Sequence, residues 1–239
     1  MNKKKGKEIF DEKKAFYSNN PVYLSKLLDP YTVKVAKWMH HIGFSANNTT
    51  FLTFILGILG IVSMFVIDSY LGLVVAAILI TLRNIGDTVD GKIARGANDF
   101  TPIGYFSDLV SDWIIFHAVF FIAIGFLTDH IVVGFLCVTG YMSREFTRRH
   151  FTRVYGVKIT ETETAKKIPS IVSLARKYDL ASWFWIIPFI LLIKPVWIIY
   201  ITAIVEYGLL LGEGTIDIYI LAKKTKEIRE EKRLQINKI

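Results

Sequence analysis

Four aspartates with regular spacing lie in an otherwise apolar part of the sequence, and together they could bind cations. Asp87 and Asp90 follow the run LGLVVAAILITL, and Asp108 and Asp112 precede the run WIIFHAVFFIAIGFL. Residues three or four apart share one face of a helix, so each pair would form a stripe of carboxylates. Ionised carboxylates inside a bilayer are costly and need a counter-charge. The pattern therefore predicts a four-acid cluster that holds cations or relays protons.

Small and basic residues beside the acids point to the chemistry of such a cluster. Gly91, Ala94 and Gly104 share the stripes and would let a ligand approach the backbone closely. Arg95 is suited to bind a phosphate group. An all-oxygen site favours Mg²⁺ or Mn²⁺, and paired ions can stabilise the attacking and leaving oxygens of a displacement at phosphorus. The residues thus favour a metal-dependent reaction of a phosphate-bearing ligand.

Two membrane-spanning helices must position these acids. A spanning helix needs about 20 residues, whereas the apolar stretches Leu71 to Leu82 and Trp113 to Thr128 contain twelve and sixteen. Each helix therefore reaches full length only by taking in part of the polar stretch between them. Thr101 as N-cap and Pro102 at the first helical position predict where the later helix begins. One helix runs inward and the next runs outward, so the acids should meet at the cytoplasmic side.

Composition predicts an all-α, polytopic membrane protein with six transmembrane helices. The chain has 239 residues, 52% of them hydrophobic, with a mean hydropathy of +0.40. The apolar segments are residues 48–67, 71–90, 105–127, 131–149, 180–194 and 196–220. Alternate connections carry most of the basic residues, which predicts both termini on the cytoplasmic side of the cell membrane. The net charge of +8 then reflects topology and attraction to anionic membrane lipids, and no nucleic-acid partner is expected.

The region before the first span has the pattern of an amphipathic helix lying at the membrane interface. Its sequence, PVYLSKLLDPYTVKVAKWMHHIG, combines lysines with regularly spaced apolar residues, and Pro30 is predicted to break or kink it. The expected organisation is an N-terminal cytoplasmic segment (1–45), a six-helix membrane domain (46–222) and a basic cytoplasmic tail (223–239).

Residues 87–112 resemble the CDP-alcohol phosphotransferase signature D-x₂-D-G-x₂-A-R-x₈-G-x₃-D-x₃-D at all eight fixed positions. The stretch SANNTTFLT at the start of the first span is similar to the family's T-P-N-x-x-T element, with Ala46 in place of the usual proline. The resemblance covers about a tenth of the chain through the signature, and the predicted six-span layout agrees with it.

The resemblance implies transfer from a CDP-linked lipid donor, such as CDP-diacylglycerol, to a small polar alcohol, with release of CMP. It implies two ions, Mg²⁺ or Mn²⁺, held by Asp87, Asp90, Asp108 and Asp112. Asp112 would also be the general base that activates the acceptor hydroxyl. The residues expected to contact the CDP group are Asp87, Gly91, Ala94, Arg95, Gly104, Asn47 and Thr50. Members of the family are often homodimers.

The acceptor alcohol is left open by the sequence. Arg144 and Arg148 share one face at the end of the fourth span and could bind a phosphorylated acceptor such as glycerol 3-phosphate or inositol 1-phosphate. They could equally be positive-inside anchors that contact lipid headgroups. Leu109 and Trp113 depart from the L-D-P-x-x-D-K pattern of phosphatidylglycerophosphate and cardiolipin synthases, which weakens those two assignments.

The sequence leaves open one alternative function for the protein and two alternative roles for particular residues. A transporter or ion pathway would also use intramembrane carboxylates, but it does not require the glycines, Ala94 and Arg95 at their spacing. Helix N-capping is the simpler role for Asn47 and Thr50. The acids of the last span lie on one face, where they could adjoin the site or form an ion pair with Arg83 or Arg144; they are Glu206, Glu213 and Asp217.

Overall fold

The described part of the protein is helical throughout. The computed structural model describes residues 10–16, 23–67, 70–155 and 183–236, and no strand occurs among them. In chain order the elements are α1 (Glu12–Ala15), α2 (Tyr23–His41), α3 (Ala46–Val66), α4 (Tyr70–Gly96), α5 (Pro102–Val110), a π-helix (Ser111–Val119), α6 (Phe120–Leu127), α7 (Ile131–Tyr155), α8 (Ile187–Ile193) and α9 (Val196–Ile236). The all-α prediction is confirmed.

Four helical segments of the described residues are long and apolar enough to cross a membrane. They are Ala46–Val66, Tyr70–Gly96, the continuous run Pro102–Leu127 and Val196–Thr215. The fourth predicted span, residues 131–149, is helical but carries Arg144 and Glu145, and it is not among the four. The fifth, residues 180–194, begins outside the described residues. The four candidate spans indicate a helical membrane protein. The six spans and the interfacial N-terminal helix stay predictions.

The helix core is apolar and includes a group of packed aromatic rings. Phe116, Phe120 and Phe121 are fully buried where the π-helix and α6 meet the other spans. Phe116 packs edge-on against Phe184, with ring centroids 5.4 Å apart. The outward faces of the spans are apolar too: Phe51 on α3, for example, is exposed. An apolar surface of this kind suits contact with lipid and not with water.

Helix starts near the acids follow local capping. Thr101 caps α5 by accepting a hydrogen bond from the Gly104 N–H at 3.0 Å, and Pro102 lies in the first turn, as the sequence predicts. Ser45 caps α3, since its hydroxyl accepts from the Asn48 N–H at 3.2 Å. The capping role predicted for Asn47 and Thr50 is therefore wrong, because Ser45 already fills that position and the other two residues lie inside α3.

α2 differs from the prediction at Pro30, and α9 differs from it in length. α2 continues through Pro30, so the predicted break does not occur. Pro30 is exposed. α9 has 41 residues and is about 60 Å long at the usual helical rise, roughly twice the thickness of the hydrocarbon core. The predicted boundary at residue 222 lies within this continuous helix.

Candidate active site

Three of the four aspartates meet where α4 and α5 converge. Asp87, Asp90 and Asp108 each place one carboxylate oxygen within 4.8 Å of the others. Like charges at this separation repel strongly in a site of low dielectric, so a cation between them would be stabilised. Three carboxylates offer only oxygen ligands, which is the donor set that Mg²⁺ and Mn²⁺ prefer. The residues present therefore fit a divalent metal ion.

Asp112 lies beside this group and not within it. It is the second residue of the π-helix, and its carboxylate pairs with the guanidinium of Arg83. The same nitrogen of Arg83 lies 2.9 Å from Asp87 Oδ1. Arg83 is 3% exposed, and its guanidinium carbon lies 3.8 Å from the centre of the Phe116 ring. Arg83 thus links the predicted base to one of the three clustered acids.

A hydroxyl from α3 orients Asp90. Thr50 Oγ1 lies 2.7 Å from Asp90 Oδ2, and both side chains are buried. The contact requires α3 and α4 to approach closely. Gly86 permits this approach, because a Cβ at that position would overlap the Thr53 methyl group. Thr50 therefore reaches the acid cluster through packing that the signature residues alone do not specify.

A cavity of about 240 Å³ opens beside the acids, between α3, α4 and α5. Asp90 and Asp108 both contribute to its lining. The structure brings together here six residues predicted to contact the CDP group: Asn47, Thr50, Gly91, Ala94, Arg95 and Gly104. Asp87 belongs to the acid cluster but not to the cavity wall. At Gly104 a Cβ would overlap Asn47 Oδ1, so this glycine lets α5 approach α3.

The connection between α4 and α5 supplies cavity residues that the sequence analysis missed. Asp99 accepts a hydrogen bond from the Ala46 N–H at 3.0 Å, and Thr101 donates one to Asn47 Oδ1 at 3.0 Å. Phe100 and Tyr105 complete this wall. One signal for Asp99 was present: Ala46, unlike the usual proline, has an N–H that needs an acceptor.

Comparison with known proteins agrees with this geometry. The family model for CDP-alcohol phosphatidyltransferase matches residues 44–210, which is more than half of the chain. The chain belongs to the CDP-alcohol phosphatidyltransferase family. A search of curated proteins found no match.

Membership establishes a transferase that uses a CDP-alcohol as the donor of a phosphatidyl-type group. In this CDP-alcohol phosphatidyltransferase the matched region begins just before α3 and ends within α9. It therefore contains the three-carboxylate group, Asp112 and the whole cavity wall. α1 and α2 precede it.

The phosphatidyltransferase also contains a buried ion pair between α7 and α9. Arg144 Nε lies 2.7 Å from Glu206 Oε2, and Arg144 Nη2 lies 3.2 Å from Oε1. The two residues are 2% and 0% exposed. The expectation that an acid of the last span pairs with Arg144 is confirmed. Glu213 is buried farther along α9, whereas the side chains of Arg148 and Asp217 lie outside the described residues.

Removing one partner of this pair should destabilise the enzyme. We expect Glu206→Ala to lower the free energy of unfolding by about 3–5 kcal/mol, because it removes the counter-charge from a buried arginine. The melting temperature in detergent measures the effect. Glu12→Gln, which breaks the exposed pair with Lys37, is the control and should change the melting temperature little, since exposed pairs contribute little. An unchanged melting temperature for Glu206→Ala would show that the pair does not stabilise the bundle.

Proposed function

We propose that the enzyme transfers a phosphatidyl group from CDP-diacylglycerol to a small polar alcohol and releases CMP, in a divalent-metal-dependent step of phospholipid synthesis. The observation that carries this proposal is the group Asp87, Asp90 and Asp108, whose carboxylates approach within 4.8 Å beside a cavity lined by the signature residues. A diphosphate needs compact positive charge beside it. These carboxylates provide the ligands for the cations that would supply that charge.

The acids would hold two ions, Mg²⁺ or Mn²⁺, with Asp112 as the fourth ligand. When bound, such ions neutralise the diphosphate and stabilise the attacking and leaving oxygens. Thr50 supports this arrangement by fixing Asp90 through its hydroxyl at 2.7 Å.

The donor's CDP group would lie in the cavity. Gly91 and Ala94 present little side chain there, so the diphosphate can approach α4 closely. Arg95 supplies a fixed positive charge to the same cavity. Asn47 and Thr50 lie on the α3 side, where the nucleoside would be held.

The proposed reaction is an in-line displacement at the phosphorus distal to cytidine. Asp112 accepts the proton of the acceptor hydroxyl, and the hydroxyl oxygen forms the new bond to phosphorus. The bond between that phosphorus and the bridging oxygen breaks, and CMP leaves with the bridging oxygen. Asp112 suits the role of base because it adjoins the three-carboxylate group without belonging to it.

The proposed topology has six spans, an interfacial α2, and a site that opens to the cytoplasmic leaflet with both termini on that side. Four candidate spans support it, as does the clustering of basic residues in alternate connections. The family resemblance adds the expectation of a homodimer.

Metal removal tests the proposed chemistry directly. We expect EDTA to abolish CMP release from CDP-diacylglycerol, and excess Mg²⁺ or Mn²⁺ to restore it, since the clustered carboxylates would repel the diphosphate without cations. Initial rates of CMP release measure both changes. Release that continues unchanged in EDTA would contradict a metal-dependent site.

The acceptor proposal rests on Arg148 more than on Arg144, because Glu206 already pairs with Arg144. If the acceptor carries a phosphate, Arg148→Ala should raise the KM for glycerol 3-phosphate or inositol 1-phosphate by about tenfold or more, the usual cost of losing a charged hydrogen bond. Arg153→Ala is the matched control from the same basic segment. An unchanged acceptor KM would indicate that Arg148 contacts lipid headgroups and not the acceptor.

A further inference from the structure

Two N-terminal elements contact the end of α4 that lines the cavity. α1 and α2 precede residue 44, where the family match begins. The last two turns of α4 carry Gly91, Ala94 and Arg95 on the cavity side. The residues that pack against the opposite face of these turns therefore help to determine the positions of the cavity residues. That other side packs against α2 and against the residues around α1.

The contact between α2 and α4 contains a buried ion pair. Lys92 is 1% exposed and Asp29 is 4% exposed, and the ammonium group of Lys92 pairs with the Asp29 carboxylate. Lys92 directly follows Gly91 in the sequence, yet its side chain reaches α2. Charges removed from water need a well-defined geometry to compensate their desolvation. The pair therefore fixes one register of α2 against α4.

Apolar packing surrounds that ion pair. Ala36 of α2 and Val89 and Ile93 of α4 are each fully buried in one small cluster. Val89 and Ile93 flank Lys92 on the side of α4 away from the cavity. This packing buries additional apolar area in the same alignment of α2 against α4 that the ion pair fixes.

A second contact lies at the last residue of α4. The Asp11 N–H donates a hydrogen bond to the Gly96 carbonyl oxygen at 2.8 Å. The Phe10 ring lies directly over Gly96, where a Cβ would come within 2.5 Å of Phe10 Cε2. Gly96 therefore has to be a glycine for Phe10 to lie there. The contact holds the turn that begins immediately after Arg95.

We propose that Phe10, Asp11, α1 and α2 form an N-terminal clamp that positions the donor cavity, with Lys92 and Asp29 as its central positioning residues. The inference rests on the proposed function, since the clamp acts on the cavity assigned to CDP. The clamp contacts α4 around Val89 and from Lys92 to Gly96, whereas the acid cluster is also held by Arg83 and Thr50. Loosening the clamp should therefore weaken donor binding and leave the chemical step nearly intact.

The test replaces the ion pair without leaving a lone buried charge. The double variant Asp29→Asn/Lys92→Met keeps similar side-chain volumes, and neutral replacements of buried ion pairs usually preserve folding. We expect the Kd for CDP with Mg²⁺, measured by equilibrium dialysis, to rise about tenfold, within the range of coupling between neighbouring residues. The KM for CDP-diacylglycerol should rise in parallel, while kcat stays within about twofold, because donor positioning is separate from the chemical step.

A matched control makes the same two chemical changes elsewhere. Lys223 and Asp129 are both exposed and lie outside the clamp, and Lys223→Met/Asp129→Asn should keep the wild-type Kd and KM. Phe10→Ala provides a second variant without any buried charge, and it should also raise the CDP Kd even if the double variant folds poorly.

The outcomes separate the clamp from the reaction. Wild-type Kd and KM in both clamp variants, or a loss confined to kcat, would overturn the clamp and leave the proposed function intact. If the wild type binds CDP but releases no CMP, the proposed reaction fails, and the CDP Kd of the clamp variants still decides the clamp. No CDP binding by the wild type would overturn both.

Discussion

Replacing Asp108 with asparagine is expected to lower the rate of CMP release by about a thousandfold, comparable to the loss of a principal charge-stabilising group in other active sites. Asp108 is the α5 member of the three-carboxylate group, and it also lines the cavity. The amide keeps the shape of the side chain but removes a negative charge and a metal-ligating oxygen. The variant should therefore lose both metal-dependent CDP binding and turnover.

Asp129→Asn is the matched control for Asp108→Asn. Asp129 is exposed in the turn between α6 and α7, at the opposite end of the Pro102–Leu127 span from the acids. Its φ of +59° is a left-handed conformation that asparagine also adopts readily. This variant should retain wild-type activity. If Asp108→Asn kept even a tenth of wild-type turnover, Asp108 would not be a metal ligand in the reaction.

Replacing Asp112 with asparagine should separate catalysis from binding. Asp112 lies outside the three-carboxylate group and pairs with Arg83, so CDP binding in Mg²⁺ should depend on it less than on Asp108. Asparagine cannot take the proton of the acceptor hydroxyl. We expect kcat to fall by about 10²–10⁴-fold, the usual contribution of a general base, with a much smaller change in the Kd for CDP.

The ratio of the two effects tests the role of Asp112. Turnover is measured as CMP release, and binding as equilibrium dialysis of labelled CDP in Mg²⁺. Turnover lost with binding retained supports the base. Equal loss of both would move Asp112 from base to simple metal ligand.

The parts of the site that depend on local sequence could be predicted. The apolar run before Arg83 was too short to span a membrane, so α4 had to continue through Asp87 and Asp90, and it does. Thr101 and Pro102 carried a capping pattern that determines where α5 begins. Helical periodicity then placed the acids of each helix on one face, and the inward and outward directions of the two helices brought Asp108 to them.

The parts that depend on contacts between distant residues could not be predicted. Thr50 is 40 positions from Asp90, and no pattern within α3 shows that its hydroxyl will reach that acid. Asp29 and Lys92 are 63 positions apart, and no local pattern in the sequence links them. Their pairing requires the packing of α2 on α4 to be known first.

No local sequence pattern predicts the π-helix either. Ser111–Val119 reads as a normal apolar helix in the sequence, and π-helices are rare. The wider turn changes which residues align with Asp112 along the helix. In the structure Asp112, the second residue of this π-helix, pairs with Arg83.

The most direct test of the central claim is CMP release by the purified protein with labelled CDP-diacylglycerol and Mg²⁺ or Mn²⁺. Serine, glycerol 3-phosphate, inositol and inositol 1-phosphate are offered one at a time, and phospholipid product is measured beside CMP. We expect release that requires metal, increases with one acceptor, matches phospholipid formation and disappears in Asp108→Asn. Absence of CMP release from this donor with every acceptor, in protein that retains its fold, would contradict the proposed reaction.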